Sequence, residues 1–229
     1  MKGLVKLIVS LISVATPLDS NIKFEPNPDG NEGNHSNSFA HLLGELQFLT
    51  NCTRPDIAFA INRLVSYTAN PSLQHTTAVK RILQYLAGTQ DQGIIYSKIS
   101  TTVNENIFHG FADAAYANHD DLKSTLGYVF LASGRARRAI TWKSKKQSTI
   151  ALSSTEAKYV ALLEAAREAC WLNCLYEELG YLQKSPIIIK GDNDGSIAMA
   201  KNQQFHNRSN TSQLDDIGYG IWWNKNLLI

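Results

Sequence analysis

The sequence predicts an α/β fold, a mixed sheet with covering helices, preceded by a small all-helical segment. Three observations carry that expectation. Between residues 38 and 92, apolar positions recur three and four apart, the spacing of helices lying on a core. From about residue 105 the spacing shortens to alternating or brief apolar runs, which read as strands. One long helical stretch then opens at Ser154 and is followed by a further short apolar run and a further helical pattern.

Residues 1–37 read as leader and linker. Met1 to Ala15 has a basic start, an apolar stretch and small residues, so it imitates a secretory signal. It is too short for a membrane span. Residues 17–37 are rich in Pro, Asn, Gly and acids, a linker composition. Three apolar stripes follow in 38–92. Phe39, Leu42, Leu43, Leu46, Leu49 and Thr50 form the first; Ile57, Phe59, Ala60, Leu64 and Val65 the second. Leu73, Ala78, Ile82, Leu83, Tyr85 and Leu86 form the third, and Asn70-Pro71-Ser72 separates it from the second.

Within 105–209, Ile107 to Asp113 alternates as a strand, and Tyr128–Leu131 and Ala139–Trp142 supply two more. The helix after Ser154 runs to about Leu179 and stops at Gly180, a suitable residue just past a helix end. Ala161, Ala165, Ala169, Leu172 and Leu175 keep one of its faces apolar and small enough to lie on a sheet. Ile187–Ile189 is the fourth strand.

Charge is nearly balanced, 22 Lys and Arg against 20 Asp and Glu, so net charge does not mark a nucleic-acid binder. Its distribution is more telling. Arg135, Arg137, Arg138, Lys143, Lys145 and Lys146 fall in a stretch without an acid, with Trp142 among them. Such a patch can neutralise phosphates along a duplex, or it can be a solvated hairpin face. Cys52, Cys170 and Cys174 make no zinc pattern, and a sparse odd count suits a reducing compartment.

Asp113 ends the first strand, Glu156 opens the long helix and Asp192 closes the fourth strand. That order can converge three carboxylates on one sheet edge, a donor set suited to Mg²⁺ or Mn²⁺ and to phosphoryl chemistry. The bland reading is three wet surface acids. Glu164, Glu168, Glu177 and Glu178 read as solvated, and Ser153 and Ser154 as helix caps.

The wording around these residues resembles the end of a Copia-type LTR-retrotransposon Pol polyprotein. The matching words are Thr53-Arg54-Pro55-Asp56-Ile57-Ala58-Phe59-Ala60, Lys80-Arg81-Ile82-Leu83-Gln84-Tyr85-Leu86-Ala87-Gly88-Thr89 and Ala112-Asp113-Ala114-Ala115-Tyr116-Ala117. Lys123-Ser124-Thr125-Leu126-Gly127-Tyr128, Ile140 to Gln147, Ser153-Ser154-Thr155-Glu156-Ala157 and Gly191-Asp192-Asn193 follow in order. The resemblance implies that 38–92 is similar to the C-terminal end of a reverse transcriptase, without its paired-aspartate strand or palm. It implies that 105–209 is a ribonuclease H-like domain. The implied activity is cleavage of RNA in an RNA–DNA hybrid by two Mg²⁺ (or Mn²⁺) ions about 4 Å apart. Asp113 would bridge both ions, with Glu156 and Asp192 completing the set. The implied partners are the hybrid and the polymerase part of a Pol polyprotein, with no membrane. The implied location is the cytoplasm, in a virus-like particle, or the nucleus. Thr16-Pro17-Leu18-Asp19 resembles an interior linker, so the signal-like leader reads as a gene-model artefact or a truncated strand.

The tail departs from the family. After Phe205-His206-Asn207-Arg208 the family reads Lys-His-Ile-Asp-Ile, and here the chain reads Ser209-Asn210-Thr211-Ser212-Gln213. Loss of one nucleotide turns codons for Lys-His-Ile into those for Asn210-Thr211-Ser212, so 210–229 reads as frameshifted and the closing helix as missing. Gln213 stands at the fourth acid's place. Its codon carries C where restoring Asp needs A, so that acid was absent before the frame was lost. Asp215 and Asp216 remain as stand-ins. Hydrolysis is therefore expected to be impaired, with an inactive hybrid-binding remnant or an unstable relic as the alternatives.

Overall fold

The protein was analysed as a computed structural model that describes residues 13–19, 22–27, 36–96, 107–133, 138–182, 185–201 and 227–228. The chain divides into two compact units, Met1–Ile94 and Ile95–Ile229.

The first unit is helical: α1 (Ser36–Cys52), a 3₁₀ turn (Pro55–Ile57), α2 (Ala58–Val65) and α3 (Leu73–Gly88). Pro55 opens the turn, where its missing N–H is no loss. Phe39, Leu43 and Leu46 of α1 meet Ile57, Ala60, Ile61 and Leu64, and the stripe Ala78, Val79, Ile82, Leu83 and Leu86 of α3 closes the core. The second stripe needs correction. Ile57, Ile61 and Leu64 lie at i, i+4 and i+7 on one line, so Ile61 is buried while Phe59 and Val65 are exposed. Leu73, the first residue of α3, is also exposed.

The linker segment does more than connect. Phe24 is fully buried in this core, and its carbonyl accepts a hydrogen bond from the Tyr67 hydroxyl at 3.2 Å. The Tyr67 ring stacks on His75, centroids 4.1 Å apart, and the Ser72 N–H donates to His75 Nδ1 at 2.8 Å. His75 thereby takes the place that Glu or Gln holds in a capping box.

The second unit is built on β1 (Phe108–Ala115), β2 (Thr125–Ala132), β3 (Ala139–Lys146), α4 (Ser154–Glu178), β4 (Ile187–Lys190), α5 (Asp194–Lys201) and β5 (Leu227–Leu228). Strand order is β3-β2-β1-β4-β5. The first three strands form an antiparallel meander; β4 runs parallel to β1, and β5 parallel to β4. This is the mixed sheet with covering helices that the sequence predicts, with β5 added beside β4. Ala157, Ala161, Ala165 and Ala169 of α4 are fully buried against Phe108, Leu126, Phe130 and Ile189, where small side chains let the helix lie close to the sheet. Gly110 serves the same closeness: a Cβ there would meet the Phe130 ring at 2.5 Å.

Both ends of α4 are closed as the sequence suggests. Ser153 Oγ accepts from the Glu156 N–H at 3.1 Å. At the other end Gly180 has φ +82°, and the Tyr181 N–H reaches back to the Tyr176 carbonyl at 2.8 Å. Glu168 departs from its solvated reading. It accepts from Tyr128 Oη at 3.0 Å and Thr141 Oγ1 at 2.8 Å, tying α4 to β2 and β3. Burial pushes the Tyr128 phenol up, and the Glu168 carboxylate beside it adds to the rise. The expected loss of a closing helix, and Phe205, His206, Gln213, Asp215 and Asp216, lie outside the described residues.

Candidate active site

In the parallel pair of β1 and β4, Gly110 stands opposite Ile189 and Phe111 opposite Lys190. Asp113 and Asp192 each lie two residues further on. Side chains repeat with period two along a strand, so matched register carries both acids to the same edge of the sheet. Both are well exposed, at 69% and 64%.

The group that joins them is Lys158 of α4. Its Nζ lies 3.1 Å from Asp113 Oδ1 and 2.6 Å from each carboxylate oxygen of Asp192. The Lys158 side chain is only 19% exposed, so it is the most enclosed member of the group. Its hydrogen bond to Asp192 raises the ammonium's affinity for its proton, and Asp113 adds to that rise. The same bond holds the Asp192 carboxyl below the ordinary carboxylate range.

Glu156 is not brought into this group. Its Oε2 accepts the Leu152 N–H at 2.7 Å while its own N–H is capped by Ser153, so the carboxylate belongs to the helix start. Positions 156 and 158 are about 200° apart around a helix and cannot face the same point. Lys158 begins the line Ala161, Leu162, Ala165, Ala169 and Leu172, which packs on the sheet. Glu156 shares a line with Tyr159 and Leu163, which form a separate small cluster with Ala200 of α5. Lys158 was the residue that sequence reading missed. The available signal was a lysine at the head of an otherwise apolar stripe.

Asp194 opens α5, and Asn193 caps that helix, its Oδ1 accepting the Ser196 N–H at 2.7 Å. Among the described residues no group of three or more His, Cys, Asp or Glu is gathered to hold a metal ion. Two acids with an ammonium between them do not fit a two-cation centre, whose charge needs more oxygen ligands than these.

The cationic candidates separate. Lys143 pairs with Tyr128 and Lys145 with Leu126 across β2 and β3, and both lysines are exposed on the sheet face that α4 covers. Lys146 points the other way and forms an ion pair with Asp121 at 2.9 Å. Arg138 is half-buried beside β3, while Arg135 and Arg137 lie outside the described residues. Lysines on an edge strand also discourage pairing with another sheet, so their position has a structural reason besides phosphate contact.

Comparison with known proteins adds relatives. No protein-family model matches. The chain is 36% identical over 203 residues to the Retrovirus-related Pol polyprotein from transposon RE2 of Arabidopsis thaliana, covering 88% of this chain and 13% of that protein. It is 36% identical over 202 residues to the Pol polyprotein from transposon TNT 1-94 of Nicotiana tabacum, covering 86% and 14%. The chain thus spans about one seventh of the length of these relatives. Secreted RxLR effector protein 161 of Plasmopara viticola is 40% identical over 135 residues, 58% of this chain and 90% of that protein. A foamy viral protease-reverse transcriptase, solved in complex with RNA/DNA hybrid, aligns at TM-score 0.48 and 12% identity over 100% of this chain and 26% of its own. Among the described residues no helix is long and apolar enough to cross a membrane.

Proposed function

The chain belongs to the Copia-type retrotransposon Pol polyproteins, and from that premise we propose that it is a ribonuclease H-like module that binds RNA–DNA hybrids through its exposed lysines, with the sheet edge bearing Asp113 and Asp192 as its cleavage edge and hydrolysis of the RNA strand impaired. The observation that carries the reading is the register of β1 and β4, which sets two exposed acids at one edge. Two carboxylates left this exposed contribute little to folding. Lys143 and Lys145 supply exposed charge for phosphates, and a hybrid is read by backbone shape and 2′-hydroxyls rather than base sequence.

Metal-dependent hydrolysis is the part of the family's chemistry that this site is least equipped for. Magnesium and manganese need hard oxygen donors gathered about the ion. Lys158 brings a positive charge to the point where Asp113 and Asp192 meet.

The test is binding and cleavage of a labelled RNA–DNA hybrid by residues 1–229 in Mg²⁺ and in Mn²⁺, beside Asp113→Asn. Salt-sensitive hybrid binding that survives Asp113→Asn, with little or no metal-dependent cleavage, is the expected result. A folded chain with no preference for hybrid over free single strands overturns the reading. Rapid cleavage that survives Asp113→Asn moves the chemistry elsewhere.

A further inference from the structure

We infer that Lys158 is a resident cation that holds the Asp113–Asp192 pair closed to divalent metal, so that one substitution at this residue opens the pair to a metal ion. The inference rests on the Asp113–Asp192 edge being the site proposed above. Geometry supports it in three ways. The ammonium contacts both acids, taking Asp192 through both oxygens, at distances that leave no room for an ion between them. The lysine stem is enclosed at the head of the sheet-facing stripe, and its neighbours Ala157 and Tyr159 are buried, so α4 cannot rotate to withdraw it. Glu156, the acid nearest in sequence, is held on the helix start by the Leu152 N–H and cannot replace it.

Charge decides the size of the effect. Two carboxylates and one ammonium sum to a single negative charge, too little to strip water from a divalent ion. A divalent ion about 4 Å from the ammonium is repelled strongly enough, even in water, to weaken binding on the order of 30-fold. Lys158→Ala removes that repulsion. Lys158→Glu also adds a third carboxylate at the same point, and the combined gain is on the order of a hundredfold or more.

The experiment titrates Mn²⁺ against the full chain and reads the loss of the free-ion electron paramagnetic resonance signal. Unsubstituted protein, Asp113→Asn, Lys158→Ala, Lys158→Glu and the double variant Lys158→Glu/Asp113→Asn are compared, with circular dichroism confirming that each is folded. The expected result is no site-specific Mn²⁺ uptake up to millimolar ion by the unsubstituted chain. Lys158→Ala should take the ion up weakly. Lys158→Glu should bind one ion tightly, and the double variant should lose it. Equal, Asp113-dependent uptake by the unsubstituted chain overturns the inference, and so does a folded Lys158→Glu chain that gains nothing. Lys158→Ala keeps the question open to test if Lys158→Glu does not fold: its failure to gain over the unsubstituted chain also overturns the inference. Hybrid binding is measured separately in chelator. Loss of hybrid preference with the Mn²⁺ pattern intact removes the proposed function and leaves the role of Lys158 standing.

Discussion

In the helical unit, Arg54 is buried and Asp56 half-covered. The guanidinium holds the carboxylate through Nε at 3.0 Å and Nη2 at 2.8 Å, and Nη1 donates to the Thr89 carbonyl at 3.0 Å. Tyr85 Oη completes the shell on Asp56 at 2.8 Å. In the sheet unit only the cation is covered: the Lys158 side chain is mostly enclosed, while its two carboxylates stand in water. Similar chemistry therefore does different work. The Arg54 group has its donors and acceptors used within the chain, and it ties the turn before α2 to the end of α3. The Lys158 group leaves carboxylate oxygens outward, where a ligand can reach them.

The largest expected effect is at the enclosed pair. Asp56→Ala strands a buried guanidinium and should cost about 3 kcal/mol. Every tryptophan of the chain lies beyond residue 94, so tryptophan fluorescence follows the sheet unit while circular dichroism follows both. The circular-dichroism midpoint in urea should fall while the fluorescence midpoint holds. If both move together, the two units unfold as one.

Gly110→Ala comes next and tests the sheet unit. The added methyl meets the Phe130 ring, and overpacking of this kind costs about 2 kcal/mol, seen as a lower fluorescence midpoint. Gly180→Ala follows, because φ +82° is a left-handed backbone that alanine adopts at a cost of about 1 kcal/mol. Lys158→Ala should change stability by less than about 1 kcal/mol, since its partners are exposed. A loss as large as that of Asp56→Ala would make the Lys158 group structural, like the Arg54 group.

Acid sharpens the same point. Burial alone would push the Asp56 carboxyl up, but hydrogen bonds from Arg54 and Tyr85 outweigh it and leave it below the ordinary range. Its contribution is complete above the unfolded carboxylate value, about 3.9, and drains away as pH falls through the lower folded value. Asp192 is lowered by Lys158 in the same direction, but its exposure lets salt screen it. Acid titration of unfolding midpoints at low and high salt should show a salt-insensitive loss in the helical unit and a salt-sensitive one in the sheet unit.

Much of this molecule could be read locally. The helical stripes of α1 and α3, the strands, Ser153 at the start of α4 and Gly180 past its end each follow from residues within a turn or two, because period, capping and left-handed backbone are short-range properties. That Asp113 and Asp192 come near the ends of neighbouring strands was legible for the same reason, although β1 runs two residues past Asp113 and β4 stops two residues before Asp192. What the sequence left open was azimuth and depth. Whether Phe59 or Ile61 turned inward depended on which line of α2 met α1. Whether Phe24 was linker or core depended on a gap closed by Tyr67 and His75. The choice between Glu156 and Lys158 was set by the rotation of α4 over the sheet, where each residue turns the face by about 100°. Only packing of the alanine stripe against β1, β2 and β4 fixes that rotation, and it delivers a lysine, not a glutamate, to the two aspartates.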